Sequence, residues 1–175
     1  DVADEQYKRL LGVDRVTDPT TGGDFLRRFE RSDINMLKDA IWDVRKKAWD
    51  RAGKRLGQSV NVDLDNTFKE LYGNCSQGAD FSYKKKFSYH PEVLPLAETG
   101  EWLDAINLPG SKVSGCKAAY LLRRNLPHLT EQFEHVCVRG DTKFGRTDVL
   151  KVARQHGASV CLCWAAYPTV QKRAD

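Results

Sequence analysis

Val62-Asp63-Leu64-Asp65-Asn66-Thr67 closes a run in which Val60, Val62 and Leu64 alternate with polar residues, the period of a strand with one buried face. A second β-rich stretch, Val138-Arg139-Gly140-Asp141-Thr142, also ends on an acidic residue. Open α/β sheets present their ligand-binding groups at the carboxyl ends of strands. Asp65 and Asp141, brought to adjacent strand ends, could share divalent cations, and two such ions clamp the attacking and leaving oxygens of a phosphodiester in line.

Upstream, residues 1–57 read as a helical region. Ser32-Asp33 supplies a cap, and Ile34, Leu37, Ile41, Val44 and Ala48 recur at three- and four-residue spacing, predicting one apolar stripe with Trp42 or Trp49 packed beneath. Asp33, Asp39 and Asp43 come early, whereas Arg45, Lys46, Lys47, Arg51, Lys54 and Arg55 crowd the later turns, as the helix dipole prefers. Gly57 can end the segment.

Residues 58–175 form the second region. After the Asp65 turn, β-like stretches follow at 68–72, 79–89 and 102–108, with Glu98-Thr99-Gly100 as the turn between two antiparallel strands. A helix is expected from Ser114 to Pro127, burying Ala118, Tyr120, Leu121 and Leu122. Residues 135–138 predict a strand, 147–155 a helix stopped by Gly157, and 159–165 an apolar strand buried on both faces. Trp102 and Trp164 fall in strand patterns and are expected in the core. Three antiparallel strands, helix, strand, helix, strand is the ribonuclease H-like plan: an α/β fold with a mixed sheet flanked by helices.

The composition is that of a globular chain, with 41% apolar and 30% charged residues and a net charge of +4. That charge suits a polyanionic partner without demanding one. No apolar run is long enough to span a bilayer, and Asp1 to Glu5 lacks the pattern of a signal peptide, so a cytoplasmic, nucleoid-associated location and no membrane partner are expected. The five cysteines are an odd number and are expected to be reduced. Cys161-Leu162-Cys163 lacks the second ligand pair that a zinc site needs.

Four stretches, in this order and spacing, resemble the DDE transposases of bacterial insertion sequences: Asp63-Leu64-Asp65-Asn66-Thr67; Ser82-Tyr83-Lys84 with Ser88-Tyr89-His90-Pro91; Leu96-Ala97-Glu98-Thr99-Gly100-Glu101 with Asn107-Leu108-Pro109-Gly110; and Val138-Arg139-Gly140-Asp141-Thr142-Lys143-Phe144. The resemblance implies that Asp65 and Asp141 are the first two carboxylates of the catalytic triad, ligating two magnesium or manganese ions. Asp63 is assigned to the opposite face of the strand, as a supporting or solvated residue. The resemblance further implies double-stranded DNA, both transposon ends and target, as the partner, and a homodimer in the active complex. Lys84, Lys85, Lys86, Arg139 and Lys143 are candidate phosphate contacts. In the family the third acidic residue is a glutamate on a later helix. Glu92, Glu98, Glu101, Glu131 and Glu134 all precede Asp141 and fail that order, so the third position is expected beyond this chain.

Two other readings stand beside this one. Asp63 and Asp65 also look like the nucleophile motif of haloacid dehalogenase-like phosphatases, with Gly140-Asp141 and Asp148 as a magnesium motif. The strand character after Thr67, where a crossover helix would be needed, argues against it. The absent glutamate motivates a non-catalytic, transposase-derived DNA-binding fragment. His90, before Pro91, is expected to fix a turn by hydrogen bonding, since two-metal chemistry needs no protein base.

Overall fold

The computed structural model describes residues 5–16, 18–52, 57–73 and 75–164. Two compact units divide the chain, Asp1–Arg45 and Lys46–Asp175.

In the first unit, helix α1 spans Glu5–Leu11 and α2 spans Pro19–Leu26. Asp18 caps α2: its carboxylate accepts a 2.8 Å bond from the Thr20 amide, and Pro19 sits where its missing donor costs nothing. Helix α3, Arg31–Ala52, runs across the division. The helix starts earlier than Ser32-Asp33 suggest, so both lie in its first turn, from which Asp33 reaches back to accept from the Glu30 amide at 2.8 Å. The expected apolar stripe is not the buried one. Ile34, Leu37, Ile41 and Val44 are exposed, and the buried positions are Trp42, Arg45 and Trp49. These three also follow helical spacing, so periodicity alone could not choose between the faces. The Arg45 guanidinium lies 4.6 Å over the Trp42 ring, which lets a charged residue share a buried row.

The second unit is built on a mixed sheet. Strands β1 (Ser59–Asn66), β2 (Lys69–Glu70), β3 (Asp80–Phe81), β4 (Phe87–Tyr89), β5 (Glu92–Pro95) and β6 (Trp102–Ile106) precede helix α4 (Ala118–Gln132). Strand β7 (His135–Gly140), helix α5 (Thr147–Gln155) and strand β8 (Ser159–Leu162) complete it. The main sheet has the order β6-β5-β1-β7-β8, with β5 antiparallel to β1 and to β6, and β7 parallel to β1 and β8. This is the ribonuclease H-like arrangement. The meander after Asp65 is a separate three-stranded sheet, β2-β4-β3, shorter than its apolar residues suggest.

Val60, Val62 and Leu64 form the buried face of β1, flanked by Val136 and Val138 of β7. Helix α4 supplies Leu121, Leu122, Leu126 and Leu129 and packs against α5, which adds Val149 and Val152. Tyr120, expected among the buried residues, faces outward. The C-terminal turns of α3 join this unit through Lys46 on Glu131, a Gln132 bond to Asp50 and the Trp49 ring against Phe133 at 5.1 Å.

Three expectations are corrected here. Residues 114–117 form a turn and α4 passes through Pro127 to Gln132. A proline inside a helix costs about 3 kcal/mol, whereas burying Leu126 and Leu129 contributes about 1.5–3 kcal/mol each, so packing overrides the break. Strand β8 is exposed, and among the described residues it sits at the sheet edge with β7 as its one paired neighbour; Ala165 lies outside the described residues. Trp102 and Trp164 are likewise exposed, at 59% and 43%, each on or beside an edge strand.

Candidate functional site

Register places the two carboxylates. β1 and β7 pair in parallel from Ser59 opposite His135 to Leu64 opposite Gly140, so Asp65 and Asp141 are the next residues of neighbouring strands at their carboxyl ends. Neighbouring strands lie about 4.8 Å apart, so the two residues leave the paired ladder side by side. Both residues are exposed. One oxygen of each is held by a local amide: Asp65 Oδ1 by the Asn66 amide at 2.7 Å, Asp141 Oδ1 by that of Lys143 at 2.9 Å. The second oxygen of each stays free among the described residues.

Hard, exposed carboxylate oxygens suit Mg2+ or Mn2+. The pair supplies only part of a coordination shell, and among the described residues no group of three His, Cys, Asp or Glu side chains gathers as a metal site. Residues 142–175 contain no glutamate.

Asp63 is corrected: it lies on the same face of β1 as Asp65, since residues two apart on a strand share a face and the buried positions are Val60, Val62 and Leu64. Directly across the ladder, Arg139 grips it with two bonds, Nε to Oδ1 at 2.6 Å and Nη2 to Oδ2 at 2.8 Å. This pairing, with its accompanying charge attraction, raises the guanidinium pKa above its ordinary value. Arg139 is therefore engaged on the sheet rather than reserved for phosphate, and Asp63 is held as a structural carboxylate. Replacing Asp63 by Asn is expected to leave divalent-cation binding near the parent value; a calorimetric titration in which binding disappeared would instead make Asp63 a ligand or a nucleophile.

The lysine cluster is also placed differently from expectation. Residues 83–85 form the tip of the β3–β4 hairpin rather than an edge strand, with Lys85 at φ 56°. Lys86 pairs with Glu70 at 2.6 Å, while Lys84 lies 5.6 Å from the Tyr83 ring.

His90 ties the loops together, as expected. The Asn66 side-chain amide donates to His90 Nε2 and, at 3.2 Å, to Ser114 Oγ. Nδ1 of the same ring lies 3.2 Å from the Lys112 carbonyl oxygen. Gly115, at φ +79°, lets this loop approach the β7–α5 loop: a Cβ there would stand 2.7 Å from the Lys143 carbonyl oxygen. These loops line an open cleft of about 500 Å³, whose wall includes Thr142, the residue after Asp141. Its walls include Lys112, Ser114 and Arg146, which periodicity did not single out because they lie on turns. The small and basic run Ser111-Lys112-Val113-Ser114 after Pro109-Gly110 was the available signal.

Glu92 supports this region from below. It is buried, and its Oε2 accepts from the Lys117 amide at 3.0 Å while Oε1 has no partner among the described residues. Burial raises its pKa, against the opposing pull of bonds from Lys117, Cys116 and Gly115. A carboxyl whose pKa is raised by folding binds its proton more tightly in the native state. Its favourable contribution is therefore full below the ordinary value of 4.5 and is lost as pH climbs through the folded value. A Glu92→Gln protein should accordingly gain thermal stability relative to the parent as pH rises from about 4 to 8. Melting curves with a pH-independent difference would contradict this.

The five cysteines are unpaired, as expected. Among the described residues no helix is long and apolar enough to cross a membrane.

A comparison of the sequence with protein families gives one decisive match: the family described as transposase DDE domain group 1 fits residues 12–175. The chain belongs to this DDE transposase family. No curated protein matches it. DDE transposases generally use divalent metals and act on DNA. The phosphatase reading gains nothing from the structure, because β1 is flanked by antiparallel β5 and Asp63 is bound to Arg139.

Proposed function

We propose that this DDE transposase cuts DNA strands at insertion-sequence ends and joins them to target DNA, with Asp65 and Asp141 as its first two metal-ligating carboxylates. The observation carrying this reading is the parallel register of β1 and β7, which pairs as far as Leu64 opposite Gly140 and so sets Asp65 and Asp141 next in line on neighbouring strands. When bound, two Mg2+ or Mn2+ ions supply Lewis acidity that activates the attacking hydroxyl and stabilises charge on the leaving oxygen. Asp65 and Asp141 would hold that chemistry at the carboxyl ends of two neighbouring strands, one oxygen of each accepting from a nearby backbone amide, that of Asn66 and that of Lys143. Lys143, two residues beyond Asp141, and Lys84 and Lys85 on the hairpin tip offer cations to the DNA backbone. Lys86 and Arg139 contribute less, being paired with Glu70 and Asp63. Joining two transposon ends in one event calls for two copies of the protein in the working complex, in the compartment that holds the DNA.

The test is a strand-cleavage assay on end-labelled duplex DNA with Mn2+, comparing the parent with Asp141→Asn. Cleavage by the parent and its loss in the variant supports the reading. Equal cleavage by both proteins, or no DNA binding by either, contradicts it.

A further inference from the structure

We propose that the cavity between the β6–α4 and β7–α5 loops receives one nucleotide of the DNA strand bordering the scissile phosphate, its phosphate between Lys112 and Lys143 and its base against Tyr83. The inference rests on the strand-cutting function above and adds a binding subsite to it. Both carboxylates lead directly into the cavity wall. Lys143, which lines it, holds Asp141 Oδ1 through its amide; Asn66, which follows Asp65, donates to the lining residues Ser114 and His90. A phosphodiester centred on Asp65 and Asp141 therefore has this space as its immediate neighbour.

Size and charge agree with that occupant. About 500 Å³ falls within the range of pockets that enclose small organic ligands. Lys112 and Lys143 form no ion pair among the described residues, so their charge is available to an anion. Arg146 is different: its Nε and Nη2 already bind Asp148 at 3.0 and 3.1 Å. Tyr83, 84% exposed, supplies the aromatic face on which a base of any sequence can stack, with Lys84 beside the same ring.

The experiment uses the full chain and a short single-stranded oligonucleotide carrying a central 2-aminopurine, whose emission falls on stacking, in metal-free buffer. The parent should quench this emission on binding. Tyr83→Ala should abolish the quench and Tyr83→Phe retain it, and Tyr83→Ala or Lys112→Ala should weaken binding about tenfold, in the range of one lost base stack. Unchanged quenching and affinity in Tyr83→Ala and Lys112→Ala overturn the subsite; if cleavage remains Asp141-dependent, the strand-cutting function survives that result. Absence of any DNA binding by a parent that unfolds cooperatively removes both.

Discussion

Replacing Phe144 by Ala is expected to lower the unfolding free energy by about 3–5 kcal/mol. The ring is 1% exposed and sits where the β7–α5 loop turns under the sheet end. Its amide bonds the Asp141 carbonyl at 3.0 Å and its carbonyl accepts from the Arg146 amide at 2.7 Å, so this side chain anchors the loop carrying Asp141, Lys143 and the cavity wall. Gly140 and Gly115 leave room for it: a Cβ at Gly140 would stand 3.0 Å from Phe144 Cβ, and one at Gly115 would stand 3.4 Å from its ring. A cavity at this point can collapse only by moving the backbone that aims Asp141. Urea denaturation should show the loss as a lower midpoint, and a change below about 1 kcal/mol would mean that the loop is held by other contacts.

The second large effect concerns chemistry. Asp65→Asn and Asp141→Asn should each reduce metal-dependent strand cleavage by roughly 10²–10⁴-fold, corresponding to the several kcal/mol of charge stabilisation that bound metals supply. Both carboxylates are exposed strand-end residues, so neither substitution empties the core, and melting temperatures should stay close to the parent. The double variant should be little worse than either single one, because ligands of one shared centre act as a unit. Independent, multiplying losses would indicate two separate sites.

Strand β1 was legible in the sequence because Val60, Val62 and Leu64 alternate without interruption, and one buried face then fixes the register of everything beside it. The strand-end carboxylates were legible for the same reason. Tertiary competition decided the rest. Helix α3 offers two rows at helical spacing, and the one with Trp42, Arg45 and Trp49 is buried. Pro127 reads as a stop, yet the leucines on either side of it bury deeply enough to carry the helix onward. The apolar run of β8 suggested cover on both faces, which an edge position does not give. Asp63 was assigned to the wrong face although a two-residue separation fixes it on that of Asp65; its partner Arg139, 76 residues away, is visible only once β1 and β7 are paired. Tyr83, Lys112 and Arg146 come from separate turns, and no spacing rule links them.

The claim on which all of this depends is that Asp65 and Asp141 grip the same cations. The direct measurement is Mn2+ binding by the intact protein, followed by electron paramagnetic resonance of the free ion, for the parent, both single Asn variants and the double variant. The account predicts that either substitution removes most of the parent's binding and that the second adds little. Parent-like Mn2+ binding in Asp65→Asn or in Asp141→Asn would contradict it.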